Sequence, residues 1–273
     1  MHFSLERLES VERLESAAIC KIQDYFQDDY KMVRKALLIK LNYVDCPGNE
    51  LRDSNEVQNI KAFLENRGYT DITILTDDPR TKGTSLFPKK GNMITIMLEF
   101  ITNSKSGDKL FFYFSGHGGK LPTPIRDESY RKCGCIYPCD LATIVDDELR
   151  KILVDSLPDG VMLRCLLNCG HSGSVMDLPY RYISGYGLVT EDKVPSTKNV
   201  IVMTTVRDLQ KPANLASQGN LTNHFLKVFQ TSVRSSWNDF MKILQWSIKE
   251  DLQDIQLQIG SCTATLINET IEF

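Results

Sequence analysis

The first thirty residues place Leu5, Leu8, Val11, Leu14, Ala18, Ile19 and Ile22 at steps of three and four, with charged residues between them. That spacing returns apolar side chains to one face of a helical turn and predicts an amphipathic helix from Ser4 to about Tyr30. Beyond it the pattern changes to short apolar runs that alternate with helical segments. Lys35–Leu41 (KALLIKL), Asp71–Leu75, Lys109–Phe114 (KLFFYF), Val161–Leu167 and Val200–Thr205 predict buried strands. Helices are predicted at Glu56–Asn66, Gly91–Asn103, Asp146–Ser156, Leu221–Gln230 and Trp237–Leu252. Strands separated by helices of this length predict an α/β/α sandwich with a mainly parallel sheet, in which chemistry gathers beyond the carboxyl ends of the strands. The expected organisation is a helical extension over residues 1–34 and one α/β domain over 35–273.

Composition narrows the function classes. A 273-residue chain that is 42% hydrophobic can bury a substantial core, and 32 basic against 35 acidic residues leave a formal charge of −3. No strong field steers nucleic acid or an anionic membrane, and the basic residues form no stripe interleaved with aromatics. The opening is too charged for a signal-peptide core, no apolar run approaches the ~20 residues that cross a bilayer, and neither end carries a lipid acceptor. A soluble, intracellular, cytoplasmic protein without a membrane span or anchor is expected. The eight cysteines are expected to be free thiols of a reducing compartment. Cys133, Cys135 and Cys139 lie close together, but no second Cys/His pair stands at zinc-finger distance.

Two loops at predicted strand ends carry the candidate chemistry. SGHGGK holds His117 between glycines directly after KLFFYF, where the backbone can turn sharply and leave an imidazole accessible as an acid or base. NCGHSGSVMDLPY follows VMLRCLL and again presents small residues and a histidine, His171. His171 and His224 read as a loop and a helix histidine, and the absence of GxxxxGK[ST] removes a phosphate loop.

Taken together these loops make the chain resemble the type I metacaspases. In that family YSGHG supplies the catalytic histidine and DSCHSGxxxDLPY the nucleophilic cysteine. The likeness runs through KALLIKLNY, PKKGNMI, IYPCD, IVDDELRKILV, VIVMTTVRDLQKPAN and GNLTNHF. It implies a caspase-like fold, calcium-stimulated cysteine endopeptidase activity and cleavage after Arg or Lys.

Position by position, the resemblance breaks where the chemistry belongs. The family histidine falls on His117, but the nucleophile falls on Gly170, which has no side chain to form an acyl-enzyme. Of the two acids implied to line the pocket for a basic side chain, one falls on Glu56 and the other on the uncharged Asn168. Asp146, Asp147 and Asp177 match implied calcium ligands, while a further ligand position falls near Tyr130. The nearest thiol, Cys169, should point away from His117 because neighbouring strand residues face opposite sides, and only a local bulge would redirect it. The resulting expectation is an inactive caspase-fold protein with other proteins as partners, its N-terminal helix a contact element, and no cofactor beyond weak calcium. The alternative is an Arg/Lys-directed endopeptidase that pairs Cys169 with His117.

Overall fold

The structure is a computed structural model, described over residues 31–122, 132–170, 176–183, 187–190, 196–206, 218–231, 235–249 and 256–272. The predicted N-terminal helix and Tyr130 lie outside the described residues. Val33–Phe273 forms one compact unit.

Five strands run parallel: β1 (Arg34–Lys40), β2 (Asp71–Thr76), β3 (Lys109–Ser115), β7 (Met162–Asn168) and β10 (Asn199–Val206). An antiparallel edge of β11 (Gln256–Ser261), β8 (Tyr180–Ile183) and β9 (Gly187–Thr190) completes an eight-stranded sheet of order β2-β1-β3-β7-β10-β11-β8-β9. A second, three-stranded sheet pairs β4 (Gly118–Pro122), β5 (Lys132–Ile136) and β6 (Ile144–Val145).

Why the strands read as continuous apolar runs is clear from the two cores. Leu37, Ile39 and Leu41 face a cluster that includes Met93, Met97 and Ile101 of α2 (Lys90–Thr102) and Leu149 of α3 (Asp146–Arg150). Ala36 and Leu38 face the other side, with Val57, Ile60 and Phe63 of α1 (Glu56–Glu65), Phe225 of α4 (Gln218–Thr231) and Phe240 of α5 (Trp237–Lys249). A parallel sheet covered on both faces leaves little room for polar side chains in its strands. The aromatic rings on the second face meet edge-on, with Phe63 and Phe229 centroids 5.1 Å apart and Phe225 and Phe240 5.6 Å apart.

The expected sandwich is therefore the observed one, with local differences. The helix predicted to run from Asp146 to Ser156 is α-helical only to Arg150, after which Lys151–Asp155 widens into a π-helical turn. Strands β4, β5, β6, β8, β9 and β11 were not expected. They are short, glycine-bearing or alternating segments that make no continuous apolar run. Among the described residues no helix is long and apolar enough to cross a membrane.

Candidate active site

Parallel pairing places the two motif loops side by side. The register of β3 against β7 runs from Lys109↔Met162 to Ser115↔Asn168, and carried two residues further it sets His117 opposite Gly170. The backbones confirm this closeness: a Cβ added to Gly118 would lie 2.1 Å from the Gly170 carbonyl oxygen, so only glycine fits at 118. At Gly170 the situation is reversed. Among the described residues an added Cβ would meet nothing nearer than the Gly118 oxygen at 3.7 Å, and the backbone there is not in the left-handed region. The position has room for a Cβ and carries none.

His117 is held from the sequence-distant loop that follows β1. Its Nε2 donates to the Asn49 carbonyl (2.7 Å), which fixes the proton on that nitrogen and leaves Nδ1 as the lone-pair site in the neutral ring. Its backbone N–H donates to the Tyr43 hydroxyl (2.7 Å), which in turn donates to the Tyr137 carbonyl (2.6 Å), and the Tyr43 and His117 rings lie 4.4 Å apart. Burial pushes the Tyr43 phenol far above its usual range, with the hydrogen bond from His117 opposing the shift, so Tyr43 remains a neutral donor.

Tyr43 takes a left-handed backbone (φ 56°), a conformation costly for a bulky side chain. Asp77, buried at the end of β2, holds it there. Its carboxylate accepts from the N–H groups of Asn42 (2.9 Å), Tyr43 and Val44 (3.4 Å). Asp77, Tyr43 and Asn49 are functional supports that motif reading passed over. Asp77 lies immediately beyond the DITILT strand, a position that the parallel topology makes valuable, but only the fold connects it to His117.

The predicted pocket residues gather on one face. Lys40, Ser115 and Asn168 form a row across β1, β3 and β7, paired in register. Glu56, at the start of α1, reaches over this row and is 2% exposed. It accepts from the Tyr113 hydroxyl (2.8 Å) and the Ser115 hydroxyl (2.9 Å), and Lys40 Nζ lies 4.0 Å from the same carboxylate. Full burial and the neighbouring Glu56 charge push the Tyr113 phenol well up, which keeps it a donor to the carboxylate.

Cys169 is 4% exposed and belongs to the core cluster of the opposite face, beside residues such as Leu167, Cys139 and Met176. The alternation along β7 explains this, since Leu163, Cys165 and Leu167 share that face while Leu166 packs on the other. Cys165 lies wholly inside the strand, and burial pushes its thiol far above the ordinary range, away from thiolate chemistry.

Asp146, Asp147 and Asp177 bring one carboxylate oxygen each to within 4.8 Å of one another. Asp146 accepts from the backbone of Gly134 (2.9 Å) and Asp147 (3.0 Å), and Asp177 sits in a left-handed turn at φ 46°. Three hard oxygen donors that repel one another fit a divalent cation of the calcium type, which would relieve that repulsion. The small sheet links this cluster to the histidine: β4 begins at Gly118, and β5 pairs with both β4 and β6, the strand before Asp146.

Comparison with known proteins bears on the family and the fold. A family model described as the metacaspase, peptidase C14 domain matches residues 34–179. Metacaspase-1 of Eremothecium gossypii is 43% identical over 168 residues, covering 59% of this chain and 36% of that one. Metacaspase-1B of Aspergillus niger is 37% identical over 207 residues, covering 73% and 44% respectively. The chain thus spans less than half the length of these relatives. The crystal structure of protein GSU0716 from Geobacter sulfurreducens shares the fold, with a TM-score of 0.60 at 18% identity over 87% of this chain and 97% of that one.

Proposed function

This chain belongs to the metacaspase family of C14 peptidases, and we propose that it is a member without protease activity whose role is to bind other proteins. One observation carries the reading. The place opposite His117 is Gly170, open enough for a Cβ and without one, while the adjacent Cys169 is buried in the core cluster that also holds Tyr43. A cysteine protease needs thiol and imidazole within hydrogen-bond reach. The displaced-thiol alternative would require Cys169, 4% exposed, to leave its packed core. A cleavage assay on Arg- and Lys-ended peptides tests this reading, with the outcomes set out in the Discussion.

Retention of two filled cores around a site that lacks its nucleophile favours a structural or regulatory task for the surface. Affinity isolation from the native cell is expected to recover a protein partner in stoichiometric amount. Recovery of a lone monomer at native abundance would count against the binding role.

The same reading extends to calcium. Asp146, Asp147 and Asp177 can hold a cation, but a hard ion takes 6–8 oxygens and its affinity follows ligand charge and number. With a tyrosine at position 130 in place of a carboxylate, dissociation constants of about 10⁻⁴ M or weaker are expected from titration calorimetry. Micromolar binding that disappears in Asp147→Ala would contradict this.

A further inference from the structure

KALLIKL is apolar but for its lysines, and Lys40 ends up 4% exposed at the carboxyl end of the sheet. A buried ammonium is unfavourable unless an anion stands near it. Here that anion is Glu56, 4.0 Å away and itself buried. The two charges meet in the row that includes Ser115 and Asn168. We propose that Lys40 is a built-in occupant of this pocket, its ammonium standing where the basic side chain of a peptide would enter, so that the pocket does not accept Arg or Lys from outside. The proposal rests on reading Glu56 and Asn168 as the basic-side-chain pocket.

Charge and hydrogen bonding both favour it. Asn168 contributes no charge, Glu56 contributes one negative charge, and Lys40 cancels it, which leaves nothing to attract an external cation. One Glu56 oxygen takes the hydroxyls of Tyr113 and Ser115, whereas its other oxygen, Oε1, is buried with no hydrogen-bond partner among the described residues. A point-like ammonium can neutralise a carboxylate without satisfying both oxygens, but a planar guanidinium engages the two together. Removing Lys40 therefore uncovers a site suited to guanidinium, with a charged acceptor and an unused lone pair already in place.

The test uses the full chain and N-acetyl-L-arginine amide, whose guanidinium is its only charge, followed by calorimetry. The wild type is expected to show no saturable binding at millimolar concentration. Lys40→Ala is expected to bind at least about tenfold more tightly, and Lys40→Ala with Glu56→Gln should lose that gain. Equal binding by the wild type and Lys40→Ala, or a folded Lys40→Ala without any gain, overturns the proposal. Lysine acetylation of the wild type, read by mass spectrometry, needs no variant. Lys40 should react at least about tenfold more slowly than exposed Lys82, and equal rates overturn the proposal even if Lys40→Ala fails to fold. Neither measurement depends on cleavage. Loss of the Lys40 proposal would leave the inactive-protease reading standing, and peptide cleavage by the wild type would sink that reading without altering Lys40 labelling.

Discussion

Wild-type protein is expected to leave Arg- and Lys-ended peptides uncut, with or without calcium, because no thiol faces His117. Removing the nucleophile from a covalent protease typically costs on the order of 10⁶ in kcat, which puts residual turnover below an ordinary assay. Gly170→Cys should fold without strain, since the added Cβ meets the Gly118 oxygen at an ordinary 3.7 Å. Its activity should still be weak, for Asn168 brings no charge to the pocket and Lys40 neutralises Glu56. Adding Asn168→Asp together with Lys40→Ala, which empties the pocket, should raise kcat/KM by more than the product of the separate effects, because a nucleophile without bound substrate and a pocket without a nucleophile are each unproductive. Controls decide between the readings. Cleavage by the wild type that is lost in both Cys169→Ala and His117→Ala would install the displaced thiol and end the inactive-protease proposal.

Asp77→Ala is expected to lower stability by about 3–5 kcal/mol, seen as a fall of roughly 10 °C in the melting midpoint for a domain of this size. The carboxylate accepts from successive backbone N–H groups and holds Tyr43 in its left-handed conformation. Without it those donors face a cavity, and the Tyr43 hydroxyl no longer fixes the His117 backbone. Asp77→Asn keeps one acceptor oxygen and should cost less. Unfolding of Asp77→Ala within about 0.5 kcal/mol of the wild type would show that the loop is held by other contacts.

The parallel strands were legible as buried apolar runs such as KLFFYF, and their helices as apolar residues at steps of three and four, as Val57, Ile60, Phe63 and Leu64 illustrate. Motif spacing also paired His117 with position 170, and the register of β3 with β7 is the physical form of that pairing. What remained hidden depended on distant contacts. Nothing local to DITILTDD indicates that Asp77 will grip the loop after β1, and Lys40 looks like a strand-end charge until Glu56 closes over it. The edge hairpin β8–β9 has an alternating, half-buried pattern, whose signal is much weaker than that of a run buried on both faces.

The alternation of β7 has a consequence for how this site can change. A strand's choice of faces is quantised: it slides past its neighbours by whole residues, and a slip of one turns every side chain over. To bring the sulfur of Cys169 round to the imidazole by such a slip, Leu163, Cys165 and Leu167 would have to trade places with Arg164 and Leu166 between two cores already filled to different shapes. A thiol can return to this site by replacement at 170, where the space stands ready, far more cheaply than by movement from 169.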